Sequence, residues 1–440
     1  MKRPYKLKNQ IQEYPWGSTT LIPELLGSEN PDEKPFAEMW MGVHPRGPST
    51  IDAEGDERSL ASIIESRPEE LLGDGAARRF SGSLPFLFKL LAAGQPLSIQ
   101  AHPNREQAEE GYSREEREGI PVDAFHRNYR DRNHKPEVMC ALTPFTAMCG
   151  FRSPDEVHAN FSGIDSEVVR EKILPALEGR SAVDVETDAA AASRDGGDAD
   201  AERLERFFHV LMTLGDEETE ELVQALTIWA KKERCEEARL VDRFYGLHGV
   251  DRGIAAPLYL NVLTLEEGEA LFQPAGVLHA YVEGMGVELM ANSDNVLRGG
   301  LTNKHVDVRE LLSLLSFSPR RPDVIRPQEV LPGVDEYPVP IDEFLLRRVR
   351  PSASSGPAEV RIENRSAVEI GICVSGAAEI IRSGTKVSGT RVGEPGSGGY
   401  DELLLDVKQG ESFVVPYAVG EYRVSGDAVI YMATIPLDWP

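Results

Sequence analysis

Between residues 1 and 152 the apolar runs are short and are broken by glycine, proline and asparagine. This is the pattern of short strands joined by tight turns, and it predicts a mainly β chain built as a sandwich or barrel. Leu84-Pro-Phe-Leu-Phe-Lys-Leu-Leu91 and Leu97-Ser-Ile-Gln-Ala-His102 are its clearest strands. The pattern changes at Ser153-Pro-Asp-Glu156, where a capping Ser, a Pro suited to the first helical turn and a Glu three residues on announce a helix. Leu204, Phe207, Phe208, Leu211 and Met212 then keep helical spacing, as do Leu222, Val223, Leu226 and Ala230. Residues 153–256 therefore read as a helical insert. Within it, Val185 to Asp200 is rich in Asp, Ala and Gly without a periodic apolar face, and reads as a mobile acidic loop.

Strand signals return at Leu258-Tyr-Leu-Asn-Val-Leu263, and a third region begins near Tyr337, past the proline-rich stretch from Arg320 to Pro332. One internal echo bears on the architecture. Gly268-Glu-Ala-Leu-Phe-Gln-Pro-Ala-Gly-Val-Leu-His279 aligns with Gly410-Glu-Ser-Phe-Val-Val-Pro-Tyr-Ala-Val-Gly-Glu421, and Glu421 falls where His279 stands. Two related β barrels are expected: residues 1–152 with 257–335, and residues 336–440, the second without a metal.

A net charge of −26 excludes the basic footprint that nucleic acid or an anionic membrane surface requires. An anionic ligand would have to be held by a few local Lys and Arg against the overall field. The N-terminal residues lack an apolar segment of signal-peptide type, and no run approaches the roughly 20 apolar residues of a membrane span. Cys140, Cys149, Cys235 and Cys373 form neither a paired metal motif nor a disulfide framework. A cytoplasmic location is the expectation.

Chemistry concentrates in three places. Gln100 and His102, two apart in a predicted strand, share a face. Asn133-His-Lys-Pro-Glu137 supplies a carboxylate, and Pro274 to His279 ends in a second imidazole. Two imidazoles, one carboxylate and a neutral amide oxygen suit a borderline cation such as zinc with a position left open. None of these residues is diagnostic alone.

Longer strings carry a resemblance. Tyr129-Arg-Asp-Arg-Asn-His-Lys-Pro-Glu137, and the run from His279-Ala-Tyr-Val-Glu-Gly through Glu288, Asp294 and Arg298 to Lys304, resemble the signatures of the type I mannose-6-phosphate isomerase family within the cupin superfamily. Tyr14-Pro-Trp-Gly-Ser18 and Ala37-Glu-Met-Trp-Met-Gly-Val-His-Pro45 support it. Two departures are Gly299, where the family often has Ala, and Asn303, where it usually has Pro; both free the backbone before Lys304.

The resemblance implies two cupin-like jelly-roll barrels plus an α-helical domain, and one zinc ion per chain held by Gln100, His102, Glu137 and His279. It implies an aldose–ketose isomerase acting on a sugar phosphate; a monomer is the expectation for the assembly. Arg298 is the first expected active-site residue, since a guanidinium clamps an enediolate or a phosphate bidentately. Lys135 and Lys304 are cations for an oxyanion or phosphate, with their roles undivided. Asp294 and Glu288 either carry the proton or orient Arg298. Lys89 and Ser98 match positions proposed to contact phosphate, although Lys89 at a sheet edge could instead snorkel. Trp16, Glu38 and Tyr281 are expected at the pocket mouth. Two competing readings use the same barrel: a metal-dependent cupin oxygenase, and a catalytically silent sugar-binding cupin.

Overall fold

A computed structural model of the chain describes residues 1–53, 55–178, 196–351, 359–363, 365, 367–384 and 400–436. Its strands form two eleven-stranded sheets, antiparallel at every described pairing.

The first sheet is organised by one long strand, His279–Ala291, that serves two leaves. From Gly284 onward it lies between Phe86–Ala93 and Glu137–Ala141; before that it pairs with Phe145–Phe151 and, at His279, with Ile99–Ala101. The switch is made by a bulge between Tyr281 and Glu283 and by Gly284, whose φ of +116° leaves its Cβ position 2.6 Å from the Pro144 carbonyl. Only glycine tolerates both that dihedral and that approach.

The strand Phe86–Ala93 is buried along its whole length. Its pleat sends Phe86, Phe88, Leu90 and Ala92 towards the second sheet, where they pack with Ile370, Ile372, Val414 and Tyr431. Leu91 and Ala93 turn the other way, into an interior shared with Met139, Ala141, Ala147, Cys149 and Tyr281. Helices cover the outside of the other leaf: Phe161, Phe207, Phe208 and Tyr259 pack on Met148, Phe151, Ala280 and Val282.

The helical insert begins as its residues predict. Ser153 caps Pro154–Ser162 and forms a reciprocal capping box with Glu156. Gly196–Met212 and Asp216–Ala230 bury the apolar positions picked out by their spacing. Of the acidic stretch expected as a loop, residues 185–195 lie outside the described residues, and residues 196–200 instead form the first turns of Gly196–Met212.

The first 152 residues also hold helices that strand grammar did not predict, among them Leu60–Ser66 and Arg105–Arg117. The latter buries only Ala108, Gly111 and Glu115, too thin a stripe to register as periodic, and it is set by an Asn104–Gln107 capping box. Sheet membership also departs from the expected division. Tyr5–Lys8, Thr50–Ala53 and Asp56–Ser59, together with Gln328–Leu331 and Val334–Tyr337, join the C-terminal strands. Tyr5 and Lys6 pair with Val414 and Phe413, covering what would be an open edge of Ser412–Val415.

The internal echo has a structural counterpart. Gly268 and Gly410 each take φ +83°, and each is followed by a four-residue strand, Ala270–Gln273 or Ser412–Val415, and then by a 13-residue strand, His279–Ala291 or Tyr422–Thr434.

Candidate metal centre and anion site

His102, Glu137 and His279 reach the interior from three separate places in the first sheet. Glu137 opens its strand between Gln273 and Met290, His279 opens the long strand opposite Gln100, and His102 lies one residue beyond Ile99–Ala101. All three are buried, and their candidate ligand atoms lie within 4.8 Å of one another. Glu137 Oε1 stands 3.4 Å from His102 Nε2, and Oε2 stands 3.3 Å from His279 Nε2.

The tautomers follow from the partners on the far side of each ring. His102 Nδ1 is 2.8 Å from the Asn295 carbonyl and His279 Nδ1 is 3.0 Å from the Val277 carbonyl. A carbonyl only accepts, so each Nδ1 carries the hydrogen and each Nε2 keeps a lone pair. Burial first, then the charge of Lys135, holds the His102 imidazole down to about 4, against the pull of Glu137. Burial opposes ionisation of Glu137, but the Lys135 ammonium at 2.9 Å holds the carboxyl well below the usual range.

Two lone pairs thus face a carboxylate in a buried gap, and among the described residues His102 Nε2, His279 Nε2 and Glu137 Oε2 have no hydrogen-bond partner. Buried acceptors so arranged repel one another unless a cation lies between them. Gln100, directly opposite His279 and so on the same face, is the neighbouring neutral donor. These residues fit zinc, with a coordination position left for water or substrate.

A second buried cluster lies along the same interior. Lys89 Nζ is 2.8 Å from Glu288 and 3.6 Å from Glu38, whose carboxylate also accepts from Trp40 Nε1 at 2.6 Å. Lys89 sits on a central strand, so the snorkelling alternative does not hold. Burial works against its charge, but Glu288, Glu38 and Glu137 raise its pKa above the ordinary value. The Glu288 carboxyl is pushed up, first by burial and then by Glu137 and Glu38, with Lys89 and Lys135 opposing.

Asp294 is placed differently. It pairs with His44 at 3.3 Å and Arg46 at 2.6 Å, which outweigh its burial and hold its carboxyl below the usual range. Neither Asp294 nor Glu288 lies within ion-pair distance of Arg298 among the described residues.

Arg298 faces the centre from the next strand: its Cα partner is Gln100, which in turn partners His279. Among the described residues its Nε is buried without a partner. Burial and the nearby Arg130 lower its pKa, and Lys304 is lowered by desolvation, then by Arg298, Arg130 and Arg46. Among the described residues none of Arg298, Arg130 and Lys304 has a carboxylate within 4 Å, although the chain as a whole carries −26. A cluster of mutually repelling cations without counter-ions is suited to an anion.

The remaining expectations fall out unevenly. Tyr281 is 1% exposed and packs edge-on against Phe145, so it belongs to the interior and not to the rim. Trp16 is half-buried, stacks on Tyr14 and packs on the same interior cluster. Ser98 is half-buried immediately before Ile99–Ala101. A methyl at Gly299 would meet Leu278, Ile99 and Leu311 at 3.4–3.5 Å, ordinary contact, so no steric demand explains the glycine there.

Several residues around the site were not foreseen. Arg130 stood unremarked inside a string already singled out. Asn295 is fully buried: its carbonyl holds His102, its Oδ1 accepts from the Arg130 and Asp131 amides, and its Nδ2 donates to the Asp131 and Asn133 carbonyls. Glu343, from the C-terminal region, holds His134 at 2.7 Å and Arg105 at 2.6 Å. The contacts of Asn295 and Glu343 span more than 150 residues of sequence, a distance at which local patterning carries no signal.

The chain is similar in sequence and fold to known proteins. Residues 5–154 match the family model for the phosphomannose isomerase type I catalytic domain. The chain is 42% identical over 344 residues to mannose-6-phosphate isomerase of Escherichia coli (strain K12), covering 77% of this chain and 82% of that protein. It is 35% identical over 336 residues to the Homo sapiens mannose-6-phosphate isomerase, covering 72% and 74%. Among solved structures, a zinc-bound mannose 6-phosphate isomerase superposes with a TM-score of 0.82 at 34% identity, covering 99% of this chain and 100% of the other. A single-site variant of phosphomannose isomerase from Salmonella typhimurium gives 0.82 at 33% identity, with the same coverage.

Proposed function

The chain belongs to the type I phosphomannose isomerase family, and from that premise we propose how its own residues carry out the reaction. It is a zinc-dependent aldose–ketose isomerase that interconverts mannose 6-phosphate and fructose 6-phosphate. The oxygenase and silent-binder readings give way to this one.

The observation that carries the residue assignment is the convergence of two imidazole lone pairs and a carboxylate on one buried gap, beside cations that lack counter-ions. His102, Glu137 and His279, with Gln100 as the fourth donor, hold the metal. When bound, zinc supplies Lewis-acid polarisation of the substrate oxygens. Arg298 and Lys304, with Arg130 beside them, receive the phosphate and the negative charge that develops on the open-chain sugar. The isomerisation moves a proton between the first and second sugar carbons through an enediol. Glu288 is the better proton carrier of the two carboxylates, because burial brings its pKa towards working pH while His44 and Arg46 keep Asp294 ionised. Lys89 holds Glu288 in place, and Lys135 holds Glu137.

The two sheets support a reading as two cupin-like jelly-roll barrels, the first drawn mainly from 1–152 with 257–335 and the second mainly from 336–440 with added strands from 5–8, 50–59 and 328–337, flanked by the helical insert 153–256; the structural echo between their long strands supports this. A cytoplasmic monomer fits the free thiols of Cys140, Cys149, Cys235 and Cys373. Among the described residues no helix is long and apolar enough to cross a membrane.

Substrate charge provides the test. If the cation cluster is a phosphate site, unphosphorylated mannose loses both anchoring and alignment, and its kcat/KM should fall at least roughly 10³-fold below that of mannose 6-phosphate. Comparable kcat/KM values for the two sugars in a steady-state assay would remove the phosphate assignment.

A further inference from the structure

Arg298 and Lys304 flank Gly299-Gly300-Leu301-Thr302-Asn303, a segment poorly suited to hold two cations still. The strand ends at Gly300; Arg298 lies opposite Gln100, and the register shifts between Arg298 and Gly300. Gly300 takes φ +139° and Leu301, a non-glycine, takes φ +53°. Conformations of this kind persist only where surrounding structure enforces them.

That structure comes from one carboxylate outside the sheet. Asp251, between the last long helix of the insert and Arg252–Ala255, accepts from the Gly253 amide at 2.6 Å and the Leu301 amide at 2.9 Å through Oδ1, and from the Thr302 amide at 3.4 Å through Oδ2. The two backbones meet at glycines: a Cβ on Gly253 would lie 2.7 Å from the Leu301 nitrogen, and one on Gly300 would lie 2.7 Å from the Gly253 Cα. Thr302 in turn accepts from the Lys304 amide at 3.1 Å.

We propose that Asp251 is a positioning residue for the anion site, fixing the backbone of residues 300–302 so that Arg298 before it and Lys304 after it converge on one phosphate. The inference rests on the reading that Arg298 and Lys304 bind the substrate phosphate. Asp251 acts through the segment's amides, without touching substrate, and has no hydrogen bond to His102, Glu137 or His279, so its effect separates from that of the metal.

The test uses the full-length zinc-loaded enzyme with Asp251→Ala and Asp251→Asn, the latter keeping one acceptor oxygen. For each, kcat and KM for mannose 6-phosphate, the competitive Ki of inorganic phosphate, zinc per chain and the unfolding midpoint are measured. Because misplacing a binding group by about 1 Å costs up to roughly 10²-fold, Asp251→Ala should raise both KM and the phosphate Ki by about ten-fold or more. Zinc should stay at the wild-type level, and Asp251→Asn should fall between. Ser153→Ala, which removes a remote helix cap, should lower the midpoint and leave KM and Ki unchanged. The proposal fails if both Asp251 variants lose thermal stability while KM and Ki stay within roughly two-fold of wild type, or if they lose zinc. Arg298→Ala run alongside separates the levels. If it weakens phosphate inhibition and the Asp251 variants do not, only the role of Asp251 falls; if it leaves phosphate inhibition intact, the anion-site reading falls with it.

Discussion

Arg298→Ala is expected to lower kcat for mannose 6-phosphate by roughly 10²–10³-fold, equivalent to about 2.7–4 kcal/mol of transition-state stabilisation, with zinc content unchanged. Arg298 is the cross-strand neighbour of Gln100, and its Nε is buried without a partner. Its guanidinium is therefore partly desolvated and has no carboxylate partner among the described residues, so it can meet charge that grows as the enediolate forms. A cation that merely anchored the phosphate would bind ground and transition states alike, and its removal would raise KM with kcat little changed. That second pattern is the expectation for Lys304→Ala, since Lys304 stands exposed at the rim. Steady-state kinetics of both variants, with metal analysis, separates the roles. A KM effect alone in Arg298→Ala would confine its role to holding the phosphate and remove the enediolate part.

The second large effect concerns the metal. His279→Ala removes one of the two buried imidazole nitrogens that face Glu137. With a ligand missing, zinc content after dialysis should collapse, and activity should fall by more than the roughly 10–100-fold typical of losing a mere ligand-supporting contact. The wild type should also unfold at a higher temperature with excess zinc than without it, because a ligand that binds only the folded state stabilises it. That increment should vanish in the variant. Metal analysis and thermal unfolding with and without added zinc check this independently of turnover.

How much of this was legible in the sequence depended on whether the determinant was local. The Ser153 cap and the buried stripe of Gly196–Met212 were readable because a capping box and a helical face are encoded within a few residues. The four ligand positions were visible as residue types, but only the long family-like strings distinguished them from ordinary buried residues. What sequence could not supply was direction across the sheet. Asp294 lay as plausibly beside Arg298 as anywhere, yet its partners are His44 and Arg46, about 250 residues earlier. Lys89 lay between a sheet edge and an interior, and was settled by the pairing of its strand on both sides. The helix Arg105–Arg117 escaped notice because it buries so little apolar surface, and Tyr281, assigned to a rim, shares the interior face of His279 two residues before it. Asp251 carried no signal at all, since its function exists only where the insert meets the strand end at Gly300.

The central claim is that one zinc ion, held by His102, Glu137 and His279 with Gln100, makes this chain a mannose 6-phosphate isomerase. The most direct test strips the full-length protein with a chelator and titrates it with zinc, following bound metal and fructose 6-phosphate formation in the same samples. The account predicts negligible activity without metal, then a rise in proportion to bound zinc that levels off at one ion per chain. Full isomerase activity in the metal-free protein, or stoichiometric zinc binding without activity, would contradict it.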